Sequence, residues 1–272
     1  MCILFIYRNP NPAPGGYKLI LIANRDEYYA RPADSAHFWK DYPGCLGGTD
    51  MEPGREGGTW LALNVKNARV GVLLNLNGVP KSIEGKGRGF LVRDYLTSTK
   101  STIEFAKNLH KVNQETQSYN PYNLVMVELK NSDVYYLSSE LNHQEPTILS
   151  QTILGCGNSG MEKPYKKVVS GKNKFEKIVN NASTAQQNDL IEDLLQLLKH
   201  EEKYLPDDEL QKRSPNAFNE LSSIFVQHEK ENYGTRTHSI VLVDDLNNLT
   251  FVEETLKANE LWERKIFNNH LE

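Results

Sequence analysis

The residue best placed to do chemistry is Cys2. A cysteine behind the initiator methionine is small enough for methionine aminopeptidase to strip Met1. The mature chain would then open on a thiol and a free α-amine. Their ordinary pKa values, about 8.5 and about 7.7–8.0, are close enough for the amine to act as base for its own side chain. Further along, Asn24-Arg25-Asp26-Glu27 follows directly on the apolar residues 19–23. An acid can orient a protonated amine, and a cation favours a forming thiolate. Arg25 with Asp26 supplies both. The plainer alternatives are that Cys2 is the first small residue of a core strand, and that the tetrapeptide is a solvated hairpin end. An ion pair there would be worth about 0–1 kcal/mol.

The remaining chemistry-bearing residues point less sharply. Cys2, Cys45 and Cys156 are odd in number and form no C-x-x-C pair, which fits a reduced compartment better than a disulfide scaffold. Cys45 and Cys156 read as small packing residues. The seven histidines show no H-x-x-x-H or H-x-H spacing, so no metal site is expected. His238 reads as a strand-face residue, with haem ligation as its sharper alternative. Gly54-Arg55-Glu56-Gly57-Gly58-Thr59-Trp60 and Gly85-Lys86-Gly87-Arg88-Gly89 could cradle an anion, with Arg88 at a helix start. Neither is a Walker motif, and tight turns are the simpler reading.

The elements that must position these groups follow from periodicity. Residues 3–7 and 17–23 are apolar runs joined by the turn-rich 9–16, a hairpin pattern. If the two pair, the 24–27 cluster falls at the end of the sheet where Cys2 sits. Residues 31–58 read as irregular, and 60–65 and 69–74 as strands turned at Lys66-Asn67. Phe90, Leu91, Tyr95 and Leu96 suit a helix face, and Ser101-Thr102-Ile103-Glu104 is a capping box before Phe105 and Leu109. Strands are expected at 123–128, 134–137 and 148–154, and helices at 163–179 and 189–198. A third helix is expected around Val226, after the break at Pro215. Strands close the chain at 239–243, 249–253 and 262–267. Segregated blocks of this kind indicate α+β layering in one domain over residues 1–272.

Composition narrows the class. The 272 residues include 31 Lys+Arg and 35 Asp+Glu, a net charge of −4, with a pI near 6.0. That argues against a nucleic-acid partner, which would call for a basic stripe. At 39% hydrophobic and 9% aromatic residues, with mean hydropathy −0.56, the chain can bury a core and is no disordered tail. The longest apolar runs, 2–7 and 19–23, fall far short of the roughly 20 residues of a membrane helix. No basic region precedes the first of them, so a secretory signal is not expected.

Several motifs resemble one family in type and order. They are Met1-Cys2-Ile3-Leu4-Phe5, Ala23-Asn24-Arg25-Asp26-Glu27, Arg31-Pro32, the glycine stretch 54–60, Gly87-Arg88-Gly89, Tyr122-Asn123-Leu124, Asn158 and Tyr233-Gly234-Thr235-Arg236-Thr237. Together they resemble the transport and Golgi organisation protein 2 family, also called NRDE after its tetrapeptide. That family is in turn similar to the N-terminal nucleophile hydrolases. The resemblance implies an αββα four-layer sandwich and a cytoplasmic protein with Golgi and mitochondrial association. It also implies roles in Golgi organisation, protein secretion and haem or lipid homeostasis, with haem or an acyl compound as ligand and no cofactor needed for catalysis. Protein partners stay unspecified. The alternative is a cysteine hydrolase of a small amide or thioester.

Carried over by position, Cys2 would be the nucleophile and Arg25 with Asp26 its electrostatic support. Asn75 and Asn158 would be oxyanion donors, and Arg236 a second cation. Arg25 and Asp26 are adjacent, whereas the hydrolase pattern separates them. Adjacent side chains on a strand point to opposite faces, so only one is expected to reach Cys2, and Glu27 is an alternative to Asp26.

Overall fold

In the computed structural model, residues 2–79, 87–116, 118–140, 144–257 and 260–271 are described. Contacts group the chain into two units, one joining the segment up to Ala30 with Gln151–Leu271, the other formed by Arg31–Ser150. Met1, Gly85 and Lys86 lie outside the described residues. The architecture is mixed α+β with two antiparallel sheets.

The first unit is built around the two opening apolar runs, β1 (Ile3–Arg8) and β2 (Tyr17–Tyr28). Their side chains are buried on both faces, which explains the unbroken Ile and Leu. β10 (Ile153–Cys156) lies on the other side of β1. β12 (Tyr233–Asp244), β13 (Asn248–Leu256) and β14 (Trp262–His270) extend the sheet beyond β2, in the order β10-β1-β2-β12-β13-β14. The short β11 (Gln227–His228) pairs with β12. Helices α3 (Lys166–Val179) and α4 (Gln187–Leu198) share one core with Ile3, Phe5, Ile20, Ile22, Ile240 and Val252. Phe5 stacks on Phe175 at 5.8 Å between centroids.

Asp207 ties the start of α3 to α5 (Asp208–Arg213). One carboxylate oxygen accepts the Leu210 N–H at 3.0 Å, and the other accepts the Lys166 N–H at 2.6 Å. A single acid thus satisfies amides at two helix starts that would otherwise go unpaired.

The second unit is a meander in which β3 (Ala33–Phe38), β4 (Cys45–Asp50), β5 (Leu61–Asn64), β6 (Arg69–Asn75), β7 (Tyr122–Glu128), β8 (Asp133–Ser138) and β9 (Thr147–Leu149) pair in sequence order. Helices α1 (Phe90–Thr97) and α2 (Thr102–Thr116) form a core with Ala62, Tyr122, Leu124 and Met126. The capping box forms at the start of α2, where Ser101 N–H donates to Glu104 at 3.0 Å. The two glycine stretches meet: Thr59 N–H donates to the Gly89 carbonyl at 3.0 Å, and Arg88 donates to the Pro121 carbonyl at 2.6 Å.

Four expectations need correction. β2 runs through the polar tetrapeptide to Tyr28 instead of ending before it. Residues 31–58 contain β3 and β4; their sequence lacks apolar alternation, but Trp39 anchors them by donating to the Gly47 carbonyl at 3.0 Å. The expected strand 148–154 is two strands, β9 and β10, in different sheets. No helix covers Val226. Its N–H donates to the Thr235 hydroxyl at 2.9 Å and its carbonyl accepts the Thr235 N–H at 2.8 Å, which pins the segment to β12.

Gly171 marks where α3 presses on β1. A Cβ there would collide with the Phe5 ring and lie 3.0 Å from the Ile224 side chain. In an open helix, Gly→Ala would stabilise by about 1 kcal/mol. Here overpacking, which costs about 1–3 kcal/mol, reverses the sign. Gly171→Ala is therefore expected to lower the urea midpoint; an unchanged or raised midpoint would show that Phe5 can yield.

Candidate functional site

The β1–β2 register sets the site. Ile3 pairs with Asn24, so one step back along the ladder brings Cys2 opposite Arg25. On the other side Leu4 pairs with Cys156, and the same extension brings Asn158 level with Cys2. Cys2 is partly buried. Burial pushes its thiol pKa up, and the Asp26 charge adds to this; the Asp26 backbone N–H, which donates to the sulfur, and Arg25 work the other way.

Alternation along β2 sorts the tetrapeptide by face. Arg25 and Glu27 share one face, 3.9 Å apart. Asn24 and Asp26 share the other. Only 2% of Asn24, 6% of Arg25 and 5% of Asp26 is exposed, so each needs a partner in the interior. The Asn24 amide donates to the Leu198 carbonyl at 2.8 Å and the Ile224 carbonyl at 3.1 Å. Its oxygen meets His238 Nδ1 at 2.6 Å. Since the amide nitrogen is occupied, Asn24 Oδ1 is the acceptor and His238 Nδ1 carries the proton.

Asp26 is held from β12. The Thr235 hydroxyl donates to its carboxylate at 2.7 Å, and the Tyr233 hydroxyl donates to its carbonyl at 3.3 Å. Burial, then the Asp26 and Cys2 charges, keep the Tyr233 phenol protonated well above its ordinary range. Gly234 is required by close approach: a Cβ would collide with the Tyr29 hydroxyl and lie 2.5 Å from the Val226 carbonyl. The run 234–238 is therefore the counterpart of 24–27 across the strand pair.

The remaining predicted residues fall as follows. Asn158 is buried just past β10, and its carbonyl accepts the Tyr165 hydroxyl at 3.2 Å. Arg236 occupies the bulge between Thr235 and Thr237 and donates to the Tyr28 carbonyl at 2.9 Å. Asn75 ends β6 in the second unit, level with Tyr122. The first unit thus brings together Cys2, Arg25, Asp26 and Asn158.

One contributor escaped the sequence reading. Lys167 is wholly buried in the first turn of α3, where its ammonium donates to the Ser223 carbonyl at 2.9 Å. Burial lowers its pKa to about 8, against the pull of Asp26 and Cys2. The one sequence signal for it is its spacing from Gly171 and Phe175, which places it on the buried stripe of the helix. His238, expected on a strand face, lies in β12 and stacks on Trp262 at 4.5 Å. It pairs across the ladder with Glu254, which binds Lys199 at 2.7 Å and Arg264 at 2.7 Å.

Fold and site together define an α+β protein with a thiol heading an antiparallel sheet and a buried cation and acid on the adjoining strand. The chain matches the family model described as Transport and Golgi organisation 2 over residues 1–258. It is 41% identical over 261 residues to "Transport and Golgi organization protein 2" of Drosophila melanogaster, spanning 94% of this chain and 92% of that protein. The homologue from Mus musculus is 34% identical over 276 residues, and that from Homo sapiens 33% over 274, each spanning 98% of both chains. The chain belongs to the Transport and Golgi organisation 2 family.

The buried imidazole makes stability pH-dependent. Burial, with Lys199 adding to it, pushes the His238 pKa from 6.5 down to about 3. The unfolded chain therefore takes up a proton that the folded chain refuses, so stability is full above about 6.5 and falls as pH drops toward 3. Denaturant unfolding of His238→Asn should lose much of that slope between pH 6.5 and 4. A slope equal to that of the parent would place the titration elsewhere.

Proposed function

We propose that the first unit is an N-terminal-cysteine acyl-transfer site that cleaves a small amide or thioester. The observation that carries this reading is the meeting of Cys2 with Arg25 and the Asp26 N–H of the neighbouring strand, with Asn158 following the strand that pairs on the other side of β1. Once Met1 is removed, the Cys2 α-amine takes the thiol proton. The thiolate then attacks the substrate carbonyl, and the Asn158 side chain is the donor that steadies the oxyanion. The bond to the leaving group breaks as that group receives the proton. Water then hydrolyses the thioester on Cys2, releasing the acid and regenerating the thiol.

Arg25 favours the thiolate, and Arg236 stands ready as a more distant cation. Each unit supplies one sheet with helices packed on a face, the two-layer element from which the αββα arrangement of N-terminal nucleophile hydrolases is made. No cofactor enters this chemistry, and the ligand is an acyl compound. Haem carried without chemistry is the alternative use of the same residues. Among the described residues no helix is long and apolar enough to cross a membrane. The relatives' names attach them to transport and Golgi organisation, and we carry that setting over, with secretion and lipid homeostasis as the processes served from a cytoplasmic position.

Two measurements decide the matter. Mass spectrometry of the mature chain should find Cys2 at the N-terminus, and an activated thioester probe should acylate it. Cys2→Ala should abolish labelling, and Asn158→Ala should slow it by about 10²–10³-fold, as loss of an oxyanion donor does. Retention of Met1, or equal labelling of Cys2→Ala, would overturn the reading. Ligand binding that survives in Cys2→Ala without any acyl transfer by the parent would favour carriage.

A further inference from the structure

A sheet edge offers a row of backbone N–H and C=O groups to any chain that can pair with it, unless it is short, bulged or twisted away. Among the described residues, three of the four outer strands are blunted in that way. β9 has three residues and β10 has four, and the β3 ladder breaks register between Asp34 and His37. β14 is different. It has nine residues and no proline, and its register with β13 is unbroken from Trp262 to His270.

The ladder fixes which backbone groups of β14 point outward. Leu271 N–H donates to the Asn247 carbonyl at 3.0 Å, and Lys257 N–H donates to the Leu261 carbonyl at 2.9 Å. Both pairs continue the β13–β14 register, so the odd-numbered residues of β14 are the ones bonded to β13. Bonding alternates along an antiparallel pair. Trp262, Arg264, Ile266, Asn268 and His270 therefore turn their N–H and C=O toward the open edge. Ile266 stands at the middle of this row, with 52% of its side chain exposed.

We propose that this edge joins a second copy of the chain, the two β14 strands running antiparallel about a two-fold axis at Ile266. A two-fold contact requires one surface to match itself, and β14 does so. Ile266 falls opposite Ile266, Arg264 opposite Asn268 and Trp262 opposite His270, and each pair exchanges two backbone hydrogen bonds. Between them Lys265 meets Phe267 and Glu263 meets Asn269. No like charges oppose one another. The charges that would blunt the edge are already answered within the chain: Glu263 binds Lys257 at 2.9 Å, Arg264 binds Glu254 at 2.7 Å, and Lys265 lies opposite Glu253 in the ladder. A slip that moves the axis to Arg264 would set two guanidinium groups face to face and leave fewer pairs, so the register is specified.

Sedimentation equilibrium of the full chain should show the mass rising from 31.0 kDa toward twice that value with concentration. Ile266→Lys and Ile266→Glu each set like charges across the axis and should keep the single-chain mass. An equimolar mixture of the two should restore the doubled mass, because Lys then faces Glu. Should either variant fail to fold, the parent alone decides through amide hydrogen exchange. The Arg264, Ile266 and Asn268 amides should exchange slowly in concentrated protein and faster on dilution, while Lys265 and Phe267, bonded to β13, stay slow in both. A parent that keeps the single-chain mass up to about 1 mM would overturn the proposal. So would single variants that dimerise as the parent does, folded variants whose mixture stays monomeric, or outward amides whose exchange ignores concentration.

Discussion

A central strand that stays in its sheet after its apolar run has ended must satisfy polar side chains in a dry interior. β2 does this from Asn24 to Asp26. Each buried donor or acceptor left unpaired would cost about 1–3 kcal/mol, so the neighbours are arranged as partners. β12 contributes Thr235 and Tyr233 to Asp26 and His238 to Asn24. The end of α4 contributes a carbonyl to Asn24. The bulge at Arg236 lets β12 follow β2 on both sides of the tetrapeptide. The spacing of the two motifs, far apart in sequence, is the imprint of one strand pair.

That constraint also explains what could be read in advance. The apolar runs fixed β1 and the first part of β2, because burial on both faces leaves an unmistakable signal. The continuation of β2 was hidden, since Asn24-Arg25-Asp26-Glu27 looks like a solvated turn unless its partners are known. β3 and β4 were hidden for a related reason: Ala33-Asp34-Ser35-Ala36 and Gly47-Gly48 carry no alternation, and a backbone ladder leaves no mark on composition. Val226 looked helical because a short apolar segment near helices is ambiguous by periodicity. Its fate was decided by two bonds to Thr235.

The candidate site was legible where it depended on local register and illegible where it depended on packing from a distant helix. A hairpin between residues 3–7 and 17–23 is enough to bring Cys2 to Arg25. Nothing in Lys166-Lys167 says which lysine is solvated until the face shared with Gly171 and Phe175 is traced. His238 likewise becomes informative only when paired with Asn24.

The adjacency of Arg25 and Asp26, which departs from the separated hydrolase pattern, has a geometric consequence. Their side chains take opposite faces of β2, so the thiol at the strand end is bracketed by a cation on one side and an anion on the other. Arg25 lowers the thiol pKa and the Asp26 charge raises it, but burial is the largest influence and decides the sign, so the Cys2 thiol lies above its ordinary range. A site built this way does not hold a standing thiolate. It needs a base at the moment of reaction, and on the acyl-transfer reading the only group delivered to the sulfur by the chain's own covalent structure is the amine of the same residue.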